Sequence, residues 1–118
     1  MSDPDDLVPR TQEERDEWLD APPLHGSWVL GPDGQPKRPA TRREWVACTE
    51  SPDSRNVKRT EGDGWTVSTV LLPLSLRDEL PEIETAIILK GTVEVLARHA
   101  SVAAAVRYHD HVVAEHTP

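Results

Sequence analysis

From residue 57 onward the chain adopts a period of two, and after Ser101 it changes to a helical period. No other feature constrains its fold as tightly. Val57–Glu61 and Trp65–Leu72 flank Gly62-Asp63-Gly64, a three-residue connection suited to a hairpin with residues at positive φ. Pro73 ends the second strand, because it has no N–H for a ladder. "LSLRDELPE" then crosses to a second pair, Ile83–Lys90 and Val93–Arg98, joined at Gly91-Thr92. A two-residue turn with Gly first suits type II′. That turn sets Ala86 opposite Ala97, Ile88 opposite Val95 and Glu84 opposite His99. On the other face it sets Thr85 opposite Arg98, Ile87 opposite Leu96 and Leu89 opposite Glu94. The Ala86/Ala97 face is low, which favours it as the seat of a helix.

Such a helix follows. Ser101 is a good N-cap, and Val102, Ala105, Val106, His109, Val112, Val113 and His116 trace one stripe at 3.6-residue spacing. The expected fold is α+β: an antiparallel meander of three to four strands with the C-terminal helix packed on one face. The expected organisation is an acidic N-terminal arm with a short helix, residues 1–23, and one small domain over 24–116.

The upstream part is less regular. "SWVL" reads as a short strand and "GPDG" as a turn. "TRREWVACTE" opens with Thr41 and Glu44 in capping-box spacing and places Trp45, Cys48 and Thr49 on one face. Thr11 and Glu14 repeat that spacing and predict a helix from about 12 to 20. Its only large apolar groups are Trp18 and Leu19, too few for an isolated helix of this length, so it must dock on something. "MSDPDDLVPR" ahead of it reads as disordered.

Charge separates the arm from the body. The chain carries a formal −8, of which residues 1–20 supply −6 through eight acids against Arg10 and Arg15. An acidic balance disfavours nucleic-acid phosphate as a partner. The basic residues concentrate between 37 and 59, as Lys37-Arg38, Arg42-Arg43 and Arg55 to Arg59. Such a patch is either plain solvated charge or a surface on which the acidic arm folds back. The single Cys48 rules out an internal disulfide and a multi-cysteine metal site, and reads as a small buried hydrophobe. No apolar run approaches a membrane span, and the N-terminus lacks a basic region followed by an apolar stretch. A soluble cytoplasmic protein is the expectation.

Three motifs fall in a familiar order: "WTVSTVLLPL", "IETAII" and "ARHASVAAAVRYHDHVV". Over roughly residues 28 to 113 the chain resembles a group of small uncharacterised proteins from actinobacterial phages and related bacteria. Val67-Ser68-Thr69-Val70 matches their first strand, Glu84-Thr85 the start of the second, and Ser101, Ala105 and His109 the helix. Where they carry an Asp-His pair after the first strand, "PLSLRD" stands here. Ala86 replaces their Met, and Gly91 is what remains of a glycine pair. The resemblance implies a phage or prophage accessory protein, placed in the host cytoplasm, and implies no activity.

Candidate sites are few. His109 is either an acid/base group or a histidine in the core donating to a carbonyl or carboxylate of the sheet. Glu84 and His99, as a cross-strand pair, join it as a candidate polar cluster. "HDHVVAEH" contains one helical ligand pair, His111 and Glu115, without a third ligand. No nucleophile motif, metal-ligand set or phosphate loop is present, so no catalytic residue, metal or cofactor is expected. The reading that follows is a non-enzymatic protein that binds a host or phage protein. Its arm offers Trp18 and Leu19 as apolar anchors and Glu14, Asp16 and Glu17 as charges. Two alternatives stand beside it: a small enzyme or metal-dependent protein using His109, Glu84 and His99, and a homodimeric scaffold joined through an uncovered sheet face.

Overall fold

The computed structural model describes residues 11–77 and 79–118. The expected disorder of residues 1–10 therefore lies outside the described residues. Helix α1 (Gln12–Asp20) is followed by the short strands β1 (Val29–Leu30) and β2 (Pro36–Lys37), then by helix α2 (Arg42–Glu50). A single 3₁₀ turn, Pro52–Arg55, leads into β3 (Asn56–Glu61), β4 (Trp65–Leu71), β5 (Ile83–Leu89) and β6 (Thr92–His99), and helix α3 (Val102–His116) closes the chain. The fold is α+β, with a four-stranded antiparallel meander in the order β3-β4-β5-β6 and α3 packed on one face.

Local chemistry starts each helix where the sequence places it. Thr11, Thr41 and Ser101 all have extended backbone, and each hydroxyl accepts the amide hydrogen three residues on, at 3.0, 3.3 and 3.2 Å. These bonds satisfy amides that have no partner within the first turn.

The β5–β6 register differs from the expectation. The hairpin turns at Lys90-Gly91, with φ of 49° and 80°, so Leu89 rather than Lys90 closes the ladder against Thr92. Two positive φ values are what a type I′ turn requires, and its twist matches that of the strands. Leu96 is then an extra residue, since Ala86 faces Val95 while Thr85 faces Ala97. A second bulge at Val57 lies between Asn56↔Val70 and Lys58↔Thr69. Both bulged residues are apolar, and both pack against the core beneath α3. Glu84 therefore faces Arg98 rather than His99. Helix α3 covers the Thr85/Ile87 face instead of the low Ala86 face, because the larger apolar side chains of β4 and β5 point there.

That face is built in three rows. Val67 and Ile87 form one beneath Val112, and Leu71 and Ile83 form another beneath Ala105. Between them the cross-strand pair Thr69 and Thr85 lies with His109, all three fully buried. Trp65, Leu96, Tyr108 and Val113 complete the first cluster; Trp28, Leu30, Val57 and Val102 complete the second. The upstream segments join at Pro73, whose carbonyl accepts both the Trp28 amide (3.0 Å) and the Trp45 indole N–H (2.9 Å).

Candidate functional site

His109 rises from the middle of α3 into the polar row. Its Nδ1 is 2.8 Å from Thr69 Oγ1 and its Nε2 is 2.9 Å from Thr60 Oγ1, while Thr69 Oγ1 lies 2.8 Å from Thr85 Oγ1. For a neutral imidazole this run from Thr60 to Thr85 is satisfied in either direction, one donor and one acceptor at each step. The partners are hydroxyls rather than the expected carbonyl or carboxylate. Burial is the main force holding the imidazole pKa below its ordinary value; Lys58 lowers it further and Asp110 partly opposes. At 0% exposure the ring is out of reach of a substrate in this conformation. Chemically, the row is a hydrogen-bonded layer that fixes α3 on the sheet.

The other members of the expected polar cluster lie elsewhere. Glu84 is on the opposite face, 3.1 Å from the Arg98 guanidinium. His99 is on the helix side, its ring 5.2 Å from that of Tyr108, and its buried Nδ1 makes no hydrogen bond within the chain. His109, Glu84 and His99 do not converge. His111 and Glu115 pair at 2.8 Å on the exposed side of α3, and among the described residues no group of three potential ligands is positioned for a metal. Cys48 is buried, its thiol directed at the Ser54 carbonyl 3.8 Å away.

The arm residues are already engaged. Asp16 and Asp20 reach Arg43 at 3.5 and 3.1 Å, and the Arg42 guanidinium lies 5.0 Å above the Trp18 ring. Leu19 is half-buried and Glu17 exposed, and the Glu14 amide is spent on the Thr11 cap.

What stands open is the face of the sheet away from α3. Its side chains form a grid read directly from the ladders: Glu61, Thr66, Ile88 and Val93 across one end, Arg59, Ser68, Ala86 and Val95 across the middle, and Asn56, Val70, Glu84 and Arg98 across the other end. The centre is low, with Ser68 and Ala86, and the β5–β6 side rises into Ile88, Val93 and Val95. Val93 is 62% exposed and Val95 51%. Ion pairs flank this strip, Arg59 with Glu61 at 3.2 Å and Arg98 with Glu84 at 3.1 Å. Beyond the sheet's end, a groove of about 620 Å³ opens between the β3–β4 turn and the end of α3, walled by Trp65, Asp63, Val113 and His116.

Two of these features had a sequence signal that residue-by-residue reading passes over. Thr69 sits at the centre of the inward triad Val67-Thr69-Leu71, and Thr85 at the centre of Ile83-Thr85-Ile87. Matched threonines in two apolar triads mark a polar layer. The open face had no such signal, because it is defined by which face α3 covers, and bulges bring Asn56 and Arg98 onto it.

Among the described residues no helix is long and apolar enough to cross a membrane. No family model matches the chain, and comparison with curated proteins and with solved structures gives no match either.

Proposed function

We propose that this chain is a non-enzymatic binding protein that engages another protein through the open face of its sheet. One observation carries the reading: Val93 and Val95, both more than half exposed, continue the apolar side chains of Ile88 and Ala86 across two adjacent strands. Scattered apolar residues on a surface need no explanation, but a contiguous strip rimmed by charge is the ordinary form of a recognition patch. The rim pairs Arg59–Glu61 and Arg98–Glu84 would fix orientation, and the low centre at Ser68 and Ala86 admits a protruding side chain. From the resemblance to actinobacteriophage accessory proteins, the partner is a host or phage protein.

The test is capture with the full chain from actinobacterial lysate, beside a V93D/V95D variant, followed by reconstitution with the purified partner. A stoichiometric partner that binds the wild type and not the variant supports the face. A partner retained by the variant removes it. The homodimeric scaffold uses the same strip, and mass by light scattering across a hundredfold range of concentration distinguishes it: doubling abolished by V93D/V95D makes the partner a second copy.

A further inference from the structure

Helix α1 is held in an unusual way for part of a folded domain. None of its residues is buried. Its attachment to α2 is made of charge: Arg43 Nε to Asp20 at 3.1 Å, Arg43 to Asp16 at 3.5 Å, and Arg42 stacked over Trp18. The Arg42 amide and Nε also donate to the carbonyls of Ala21 and Pro22, at 3.3 and 3.1 Å, just past the helix end. The three ion-pair side chains are half or more exposed. Contacts of this kind contribute little each and are screened by salt. With Trp18 and Leu19 no more than half-buried behind it, α1 has little apolar burial to hold it once these charges are screened. It also covers two arginines with carboxylates one helical turn apart and an indole.

From this we infer that the Arg42/Arg43 surface of α2 is a seat for acidic, aromatic-anchored segments, with α1 as its resident occupant, and that an acidic segment of a partner protein binds there by displacing α1. The seat lies on α2, so it is independent of the open sheet face. An acidic peptide is favoured over nucleic acid for two reasons. The chain's formal −8 weighs against any dense polyanion more than against a peptide with a few carboxylates, and the geometry that fills the seat is an indole under a guanidinium beside two carboxylates, which a phosphate backbone does not supply. The resident helix acts at an effective concentration of roughly millimolar, as a short tether gives, so a competitor needs only modest affinity once α1 is weakened.

The experiment uses the full chain and, as probe, a synthetic peptide of residues 11–23. In D16N/D20N the amides of α1 should lose hydrogen-exchange protection while those of β4 and β5 keep theirs, and about 0.5 M salt should act likewise on the wild type. By NMR titration, D16N/D20N should then bind the peptide at least tenfold more tightly than the wild type does. Adding R43Q to that variant should abolish the binding. Protection of α1 unchanged in D16N/D20N would overturn the displaceable occupant. Equal peptide affinity in wild type and variant, or binding that survives R43Q, would overturn the seat. A single-stranded oligonucleotide binding the opened variant more tightly than the peptide would transfer the surface to nucleic acid and overturn the acidic-segment assignment.

Discussion

His109 Nδ1 and Thr69 Oγ1 lie 2.8 Å apart at the centre of the fold, both residues fully buried. This contact joins α3 to β4 at one residue each, with an apolar row on either side. Sliding α3 by one turn would place the imidazole over Val67/Ile87 or Leu71/Ile83 and leave it unpaired. The polar row thus selects a single register for a helix whose stripe on either side of His109, from Val102 to Val113, is small and apolar.

His109→Ala should destabilise the chain by about 2–4 kcal/mol, combining a cavity with the loss of the hydroxyls' partner. The triple variant H109L/T69V/T85V should recover most of that, because it removes the fully buried hydroxyls together with the ring, and Thr60, only half-buried, can turn its hydroxyl to water. Urea denaturation of both measures the difference. A triple variant as unstable as His109→Ala would contradict the account.

Stability should fall on acidification through the histidine range. The folded-state pKa of His109 is depressed, so in the unfolded chain this ring takes up a proton near its ordinary value, about 6.5, while in the folded chain it stays neutral. The contribution is complete above that value and is lost as pH falls toward the folded-state pKa, at no more than about 1.4 kcal/mol per pH unit for one proton. Lys58 on β3 and Asp110 on α3 are the charges that act on the ring, and they oppose each other. Urea midpoints between pH 7 and 5 should slope for the wild type and flatten for His109→Gln.

Lys90 adopts φ of 49°, which costs most residues with a Cβ more than it costs Gly, or Asn with its short polar side chain. Lys90→Asn should raise stability by about 0.5–1 kcal/mol, seen as an increase in Tm. Were the turn instead centred on Gly91-Thr92, the substitution would fall in a strand and lower the Tm.

A Cβ at Gly62 would fall within 2.5 Å of three atoms of the Trp65 indole. Gly62→Ala should therefore displace that ring from its place beside His116, 5.9 Å away, and cost about 1–3 kcal/mol. Tryptophan fluorescence and the melting curve should change together.

Val93→Asp and Val95→Asp should each leave the Tm nearly unchanged, within about 0.5 kcal/mol, because both side chains face solvent on an edge strand. A large loss of stability from either would show that this face is structurally occupied, and would count against its use in binding.

Much of this molecule was decided by short-range chemistry, and that part is readable from the chain. Three caps at Thr11, Thr41 and Ser101, a Gly-Asp-Gly hairpin, the stop at Pro73 and the 3.6-residue stripe of α3 each depend on neighbours within a few residues, and the elements form where those signals stand. The candidate site depended on longer relations. Lys90-Gly91 and Gly91-Thr92 are both competent two-residue turns, and they differ in which β6 residues stand opposite Ile88 and Ala86. The bulge at Val57 turns an apolar side chain of an outer strand toward the core, and the bulge at Leu96 turns Arg98 outward and His99 inward, gains in burial that appear only once the helix is in place. The shift at Leu96 parted Glu84 from His99, and the seating of α3 on the Thr69/Thr85 face gave His109 its threonine partners and left Val93 and Val95 facing outward. Helical spacing and turn chemistry are local properties of the sequence. The pairing of strands and the covering of one sheet face are settled by burial summed over the whole chain, and only the tertiary structure contains that sum.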